Sequence, residues 1–112
     1  MENSVVSCPP CCAAVEVNAA PTLPISGPDG LRHVGGDRFL QAEGSGNRVT
    51  YVDIDGDSAM ITPVKTGLES SPGVTRVGQV GYATEGKINY LFDPNLRGQD
   101  PGAFTIRAFP LP

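Results

Sequence analysis

The sequence predicts an all-β fold: a small antiparallel β-sandwich or barrel of about six strands, preceded by an extended N-terminal arm. Three observations carry that expectation. Asp55-Gly56 lies between two β-rich runs, Val49–Ile54 and Asp57–Thr62, which is a strong hairpin signal. Gly (14) and Pro (11) are abundant in a chain of 112 residues, far above the usual combined share of about 12%. No stretch carries helical periodicity over three turns.

Residues 1–30 read as the arm and residues 31–112 as the β domain. The arm holds Pro9, Pro10, Pro21, Pro24 and Pro28, all three cysteines, and no Lys or Arg. Proline at that spacing excludes helix. Cys8-Pro9-Pro10-Cys11 reads as extended chain or a tight turn, and Ala13–Asn18 as a short strand. Val5, Val6, Val15, Val17, Leu23 and Ile25 make the segment too apolar for a solvated tail, so it is expected to dock on a surface.

Arg38–Ala42 is the first strand expected in the domain, with its turn at Glu43–Asn47. The central hairpin follows. With Asp55-Gly56 as a type I′ loop, Val52 faces Ala59 and Thr50 faces Ile61. One face then carries Val52, Ile54, Ala59 and Ile61, and the other Val49, Tyr51 and Met60. Two apolar faces imply cover on both sides, by a second layer or by a partner chain, and Val49, Tyr51 and Met60 are candidate interface residues. Pro63 ends the hairpin. Gly67–Gly73 is a loop. Val74–Ala83 reads as one strand, with Gly78 and Gly81 marking a bulge or a close approach. Lys87–Phe92 reads as a strand, Asp93–Gly102 as a turn-rich loop, and Ala103–Phe109 as the last strand.

Composition removes several function classes. Net charge is −4 and Lys occurs only at Lys65 and Lys87, so there is no basic stripe for nucleic acid. No apolar run reaches 18 residues, so no membrane helix is expected. Met1-Glu2-Asn3-Ser4 lacks a basic n-region, which places synthesis in the cytoplasm. Leu, Ile, Val and Phe number 27 and Trp is absent, so the core is thin and assembly is expected to supply stability.

Candidate chemistry is sparse. Cys8 and Cys11 have the spacing of half a zinc site, and Cys12 and His33 would be needed to complete it. Small apolar residues in an extended arm explain the cysteines better than a metal site does, and disulfides formed late are the other alternative. Asp53, Asp55 and Asp57 open like a calcium loop, but the sixth and twelfth positions are Ser58 and Val64 rather than Gly and Glu. His33, the single histidine, has no nucleophile motif beside it. No cofactor and no catalytic set is expected, and the chain is read as a non-enzyme.

Together these features describe a homo-oligomeric structural subunit, a trimer or ring, whose arm lies across a larger protein assembly. The setting expected is a virion, after assembly in the host cytoplasm. A cement or decoration protein, or a neck or tail accessory protein of a tailed phage, would bind capsid or tail subunits in this way. Two alternatives stand beside it. One is a small carbohydrate- or surface-binding module using Tyr51, Tyr82 and Tyr90. The other is a zinc-stabilised mini-domain using Cys8, Cys11 and Cys12.

Overall fold

The structure is a computed structural model that describes residues 4–7, 15–19 and 26–112, with side chains from residue 26 onward. Among the described residues nine strands and one short helix run in order: β1 (Ser4–Ser7), β2 (Val15–Ala19), β3 (Pro28–Gly35), β4 (Arg38–Glu43), β5 (Arg48–Asp55), β6 (Ser58–Lys65), β7 (Val74–Val77), β8 (Val80–Glu85), α1 (Asn89–Phe92) and β9 (Thr105–Pro110). Strands β3 to β6 form an antiparallel meander. The β1–β2 hairpin joins its β6 edge through a parallel step, Asn18 beside Ser58 and Ala19 beside Ala59. The second sheet is antiparallel, in the order β7-β8-β9. The all-β expectation holds at this level: two sheets, antiparallel apart from the β2–β6 step, neither closed into a barrel.

Three hairpins share one loop chemistry. Gly35 pairs with Arg38, Asp55 with Ser58, and Val77 with Val80, leaving the loops Gly36-Asp37, Gly56-Asp57 and Gly78-Gln79. In each, only the first residue takes positive φ (53°, 61° and 60°). Glycine in the first loop position is the signature of a type II′ turn, whose twist matches the flanking strands.

The central hairpin therefore turns one residue later than Asp55-Gly56 would dictate. Val52 faces Ile61 and Ile54 faces Ala59. The expected faces survive, because moving a two-residue loop by one position shifts every partner by two and strand alternation has a period of two. Val74–Ala83 is two strands rather than one, folded back at Gly78. Gly81 admits a close approach: a Cβ there would lie 2.5 Å from the Phe109 ring. Lys87–Phe92 is not a strand. Lys87 takes a positive φ of 52°, and Asn89–Phe92 winds into a single turn. Asp93, which precedes Pro94, returns to the extended region and ends it. The strand β3 begins at Pro28, so the expected boundary at residue 30 falls inside it.

The main core lies between the sheets. Leu40, Val49 and Tyr51 from the first meet Ala83, Phe109 and Leu111 from the second, with Leu68 between them. A smaller cluster, Val52, Ala59 and Ile61 with Phe39 and Ile54, occupies the opposite face of β4–β6. The meander is thus apolar on both faces, as the hairpin sequence implies.

Two buried glutamates pin the ends of these strands. Glu43 is fully buried beside the β4–β5 turn. Its Oε1 accepts Ser26 N at 2.7 Å and Arg48 Nη2 at 2.9 Å, and its Oε2 accepts Thr50 Oγ1 at 2.8 Å. Glu85 ends β8. Its Oε1 accepts Thr105 Oγ1 at 2.6 Å and Arg107 Nε at 2.7 Å, and its Oε2 accepts Glu69 N at 2.8 Å. Buried carboxylates are tolerated when each oxygen is satisfied in this way.

Candidate functional site

The most distinctive surface is the outer face of the second sheet. Strand register puts Gly81, Ala83 and Glu85 of β8 on the core side, opposite Phe109, Arg107 and Thr105 of β9. The other side carries Thr75 and Val77 of β7, Val80, Tyr82 and Thr84 of β8, and Ile106, Ala108 and Pro110 of β9. The usual distribution is inverted, with small residues inside and larger ones outside, because the Phe109 ring needs the room above Gly81. None of those eight outer residues is charged. Val77 is 68% exposed and Ile106 67% exposed. Phe104, Leu91 and Phe92 add exposed apolar surface on the following connection. Contiguous apolar surface of this kind marks contact sites.

A second feature is polar. A cavity of about 480 Å³ is lined by Asp29, Ser45, Asn47, Ser70 and Asn89, with Phe92 contributing an aromatic wall. A neighbouring cavity of about 530 Å³ shares Asp29 and Ser70 and adds Lys87, Tyr90 and Phe104. The described non-glycine residues with positive φ are Asn47, Ser70 and Lys87 (55°, 52° and 52°), and all three line these cavities. They are held by local bonds. Ser70 N donates to Asn47 Oδ1 at 3.0 Å, Gly86 N to Ser70 O at 3.0 Å, and Lys87 N to Glu69 O at 3.0 Å. Backbone in this region costs about 1–3 kcal/mol per residue unless its surroundings impose it. Lys87 Nζ is engaged, donating to Pro101 O and Ala103 O at 2.8 Å each. The Asp29 carboxylate, by contrast, has no hydrogen bond or ion pair to another described residue.

Acid–base and metal chemistry find little here. The Glu85 carboxyl is held well below the usual carboxylate range, to about 2, by the Thr105 hydroxyl, then Arg107 and the Glu69 amide. It serves as a clasp, with both oxygens occupied. His33 sits exposed on β3, its Nε2 2.8 Å from Gly36 O and its ring 5.2 Å from that of Phe39. Among the described residues no three His, Cys, Asp or Glu side chains are placed to share a metal ion. Asp53 instead receives Arg38 Nε at 2.6 Å, and this raises the Arg38 pKa. Among the described residues no helix is long and apolar enough to cross a membrane.

The residues singled out from sequence fall in different places. Val49 and Tyr51, expected to face a partner, are buried in the chain's own core. The second layer they needed is supplied by β7–β9, and Tyr51 OH donates to Pro112 O at 3.1 Å. Met60 is 64% exposed. Val5, Val6, Val15 and Val17 lie in β1 and β2, with Val5 opposite Val17. Leu23, Ile25, Cys8, Cys11 and Cys12 lie outside the described residues. No three-tyrosine platform forms: Tyr51 is internal, Tyr82 lies on the outer face of β8, and Tyr90 is on α1.

Sequence reasoning missed that outer face and both glutamates. The face was legible in the alternation of Val80–Glu85 once Gly78 is taken as a turn. The glutamates carried no signal of their own. No protein-family model, no curated protein and no solved structure matches the chain.

Proposed function

We propose that the chain is a non-enzymatic structural subunit that works by association, binding a larger protein assembly together with further copies of itself. The observation that supports this reading best is the set of exposed apolar side chains on the second sheet and its connection, Val77 and Ile106 on the outer face of β7–β9 and Phe104, Leu91 and Phe92 on the segment between β8 and β9. A chain this short loses stability by leaving such surface in water, and association recovers it. The setting we favour is a virion assembled in the host cytoplasm, with capsid or tail subunits as partners and a cement, decoration, neck or tail accessory role. The N-terminal segment belongs to the same reading. Two residue pairs join β2 to β6, so this hairpin is the element best suited to leave its own sheet and add to a neighbour's edge.

Deletion of residues 1–25 tests the arm. The expected product is a soluble β domain that no longer co-sediments with its assembly. Unchanged co-sedimentation would remove the arm from the mechanism. Substitution of Phe92 and Leu91 by Ser tests the apolar surface, and loss of co-sedimentation is again expected.

A second reading, a small module binding a sugar or a similar polyhydroxylated surface, has its own observation. The cavity lined by Asp29, Asn47, Ser70 and Asn89 joins polar groups to the Phe92 ring, the combination that hydroxyl-rich ligands need. Glycan-array binding abolished by Asp29→Ala supports it. Silence across the array removes it.

A further inference from the structure

The free edge of the second sheet carries enough detail to name an occupant. Strand β9 ends the order β7-β8-β9. The opposite border of that sheet is guarded by β3: Arg76 Nη2 donates to Val34 O at 2.8 Å, and Arg32 Nε to Thr75 Oγ1 at 3.2 Å. Every residue from Gly102 to Ala108 is exposed, so the β9 edge is open to solvent.

Which backbone groups are free follows from the ladder. Leu111 N donates to Gln79 O at 2.9 Å, and antiparallel bonding alternates, so Phe109, Arg107 and Thr105 face β8. Ile106 and Ala108 turn their N–H and C=O groups away from it. Pro110 shares their side of the strand and has no N–H to offer.

Resting on the association reading above, we infer that β9 pairs antiparallel with β9 of a second copy about a two-fold axis at Ile106, making one six-stranded sheet from two chains. The strand is complementary to itself in that register. Ile106 meets Ile106, and the large Phe104 meets the small Ala108 on each side of the axis. The free N–H and C=O groups of Phe104, Ile106 and Ala108 then match in about six backbone hydrogen bonds. Pro110 falls beyond the paired core, opposite Gly102, where its missing donor costs nothing. The charge carried by β9, on Arg107, points to the core side and is engaged by Glu85, so no like charges meet on the outer face. The outward-facing residues of the paired segment, Phe104, Ile106 and Ala108, carry no charge, while Arg107 is turned to the core side and Pro110 lies beyond the pairing. A two-fold axis closes the contact at two copies, in place of the trimer or ring expected from sequence.

Light scattering on the full chain tests the pairing. The wild type is expected at twice its 11.7 kDa. Ile106→Asp and Ala108→Pro are each expected to return it to one chain. Pro at 108 removes only the outward N–H and leaves the bonds to β8 intact. Val77→Asp places a charge on the same outer face at the opposite border, and is expected to leave the dimer unchanged. Circular dichroism shows that each variant keeps its sheet. A monomeric wild type, a dimer that survives Ile106→Asp and Ala108→Pro, or a dimer lost with Val77→Asp each overturns the inference. A monomer that still co-sediments with a larger assembly defeats this pairing alone. A dimer without any larger partner defeats the proposed function alone.

Discussion

The meander β3–β6 is apolar on both faces of β4–β6, whereas β7–β9 buries one face and leaves the other in water. Both sheets use the same glycine-first hairpin, so local turn chemistry does not separate them. What separates them is where the bulk sits. In β5 the core side carries Val49 and Tyr51 and the opposite side Val52 and Ile54. In β8 the core side carries Gly81 and Ala83, and Tyr82 is outside. The first sheet buries bulk on both of its faces, and the second leaves its bulk exposed on one.

The sharpest way to break this contrast is at the shared core. Leu40→Ala and Phe109→Ala are each expected to cost about 3–4 kcal/mol in chemical denaturation, because both side chains are buried between the sheets. Next comes Glu85→Gln, expected to cost about 2 kcal/mol, since it leaves Arg107 and the Glu69 amide with a weaker acceptor. The same residue sets an acid limit. The folded pKa, about 2, lies below the ordinary value of 4.5, so its contribution is complete above pH 4.5 and fades as pH falls toward 2. Acid unfolding of Glu85→Gln, measured beside the wild type, should lack that decline.

Gly81→Ala is expected to cost about 1–3 kcal/mol by crowding the Phe109 ring. A neutral result would show that Gly81 is not what fixes the inverted packing of β8. The exposed Arg38–Asp53 pair is smaller still. Arg38→Ala should change stability by under about 1 kcal/mol, even with its guanidinium 4.1 Å from the centre of the Tyr51 ring. Smallest of all, Leu91→Ser should change the unfolding free energy by no more than about 0.5 kcal/mol. A large loss there would mean that the outer surface is part of the chain's own stability.

The β class and the two-faced central hairpin were legible in the sequence because alternation with a period of two tolerates a misplaced loop. The turn itself was assigned to Asp55-Gly56 when Gly36-Asp37, Gly56-Asp57 and Gly78-Gln79 repeat a Gly-first pattern that sequence alone displays. Strand β3 stayed hidden for a physical reason. It is an edge strand, mostly exposed and irregular at Pro28/Gly30 and at His33/Gly35, so it never alternates cleanly. Ile88–Phe92 is an apolar run too short for periodicity to tell strand from helix, and the positive φ of Lys87 decides it. The cavity around Asn47 and Ser70 depends on residues 23 positions apart in the chain, joined by one amide–carboxamide bond that no local pattern announces.

The guarding of β7 by Arg32 and Arg76 has an effect on a larger scale. A ribbon with both borders open can recruit one molecule after another and run on as a fibre. Under the pairing inferred above, Arg32 and Arg76 tie the other border to β3, so growth through this sheet would stop after a single addition.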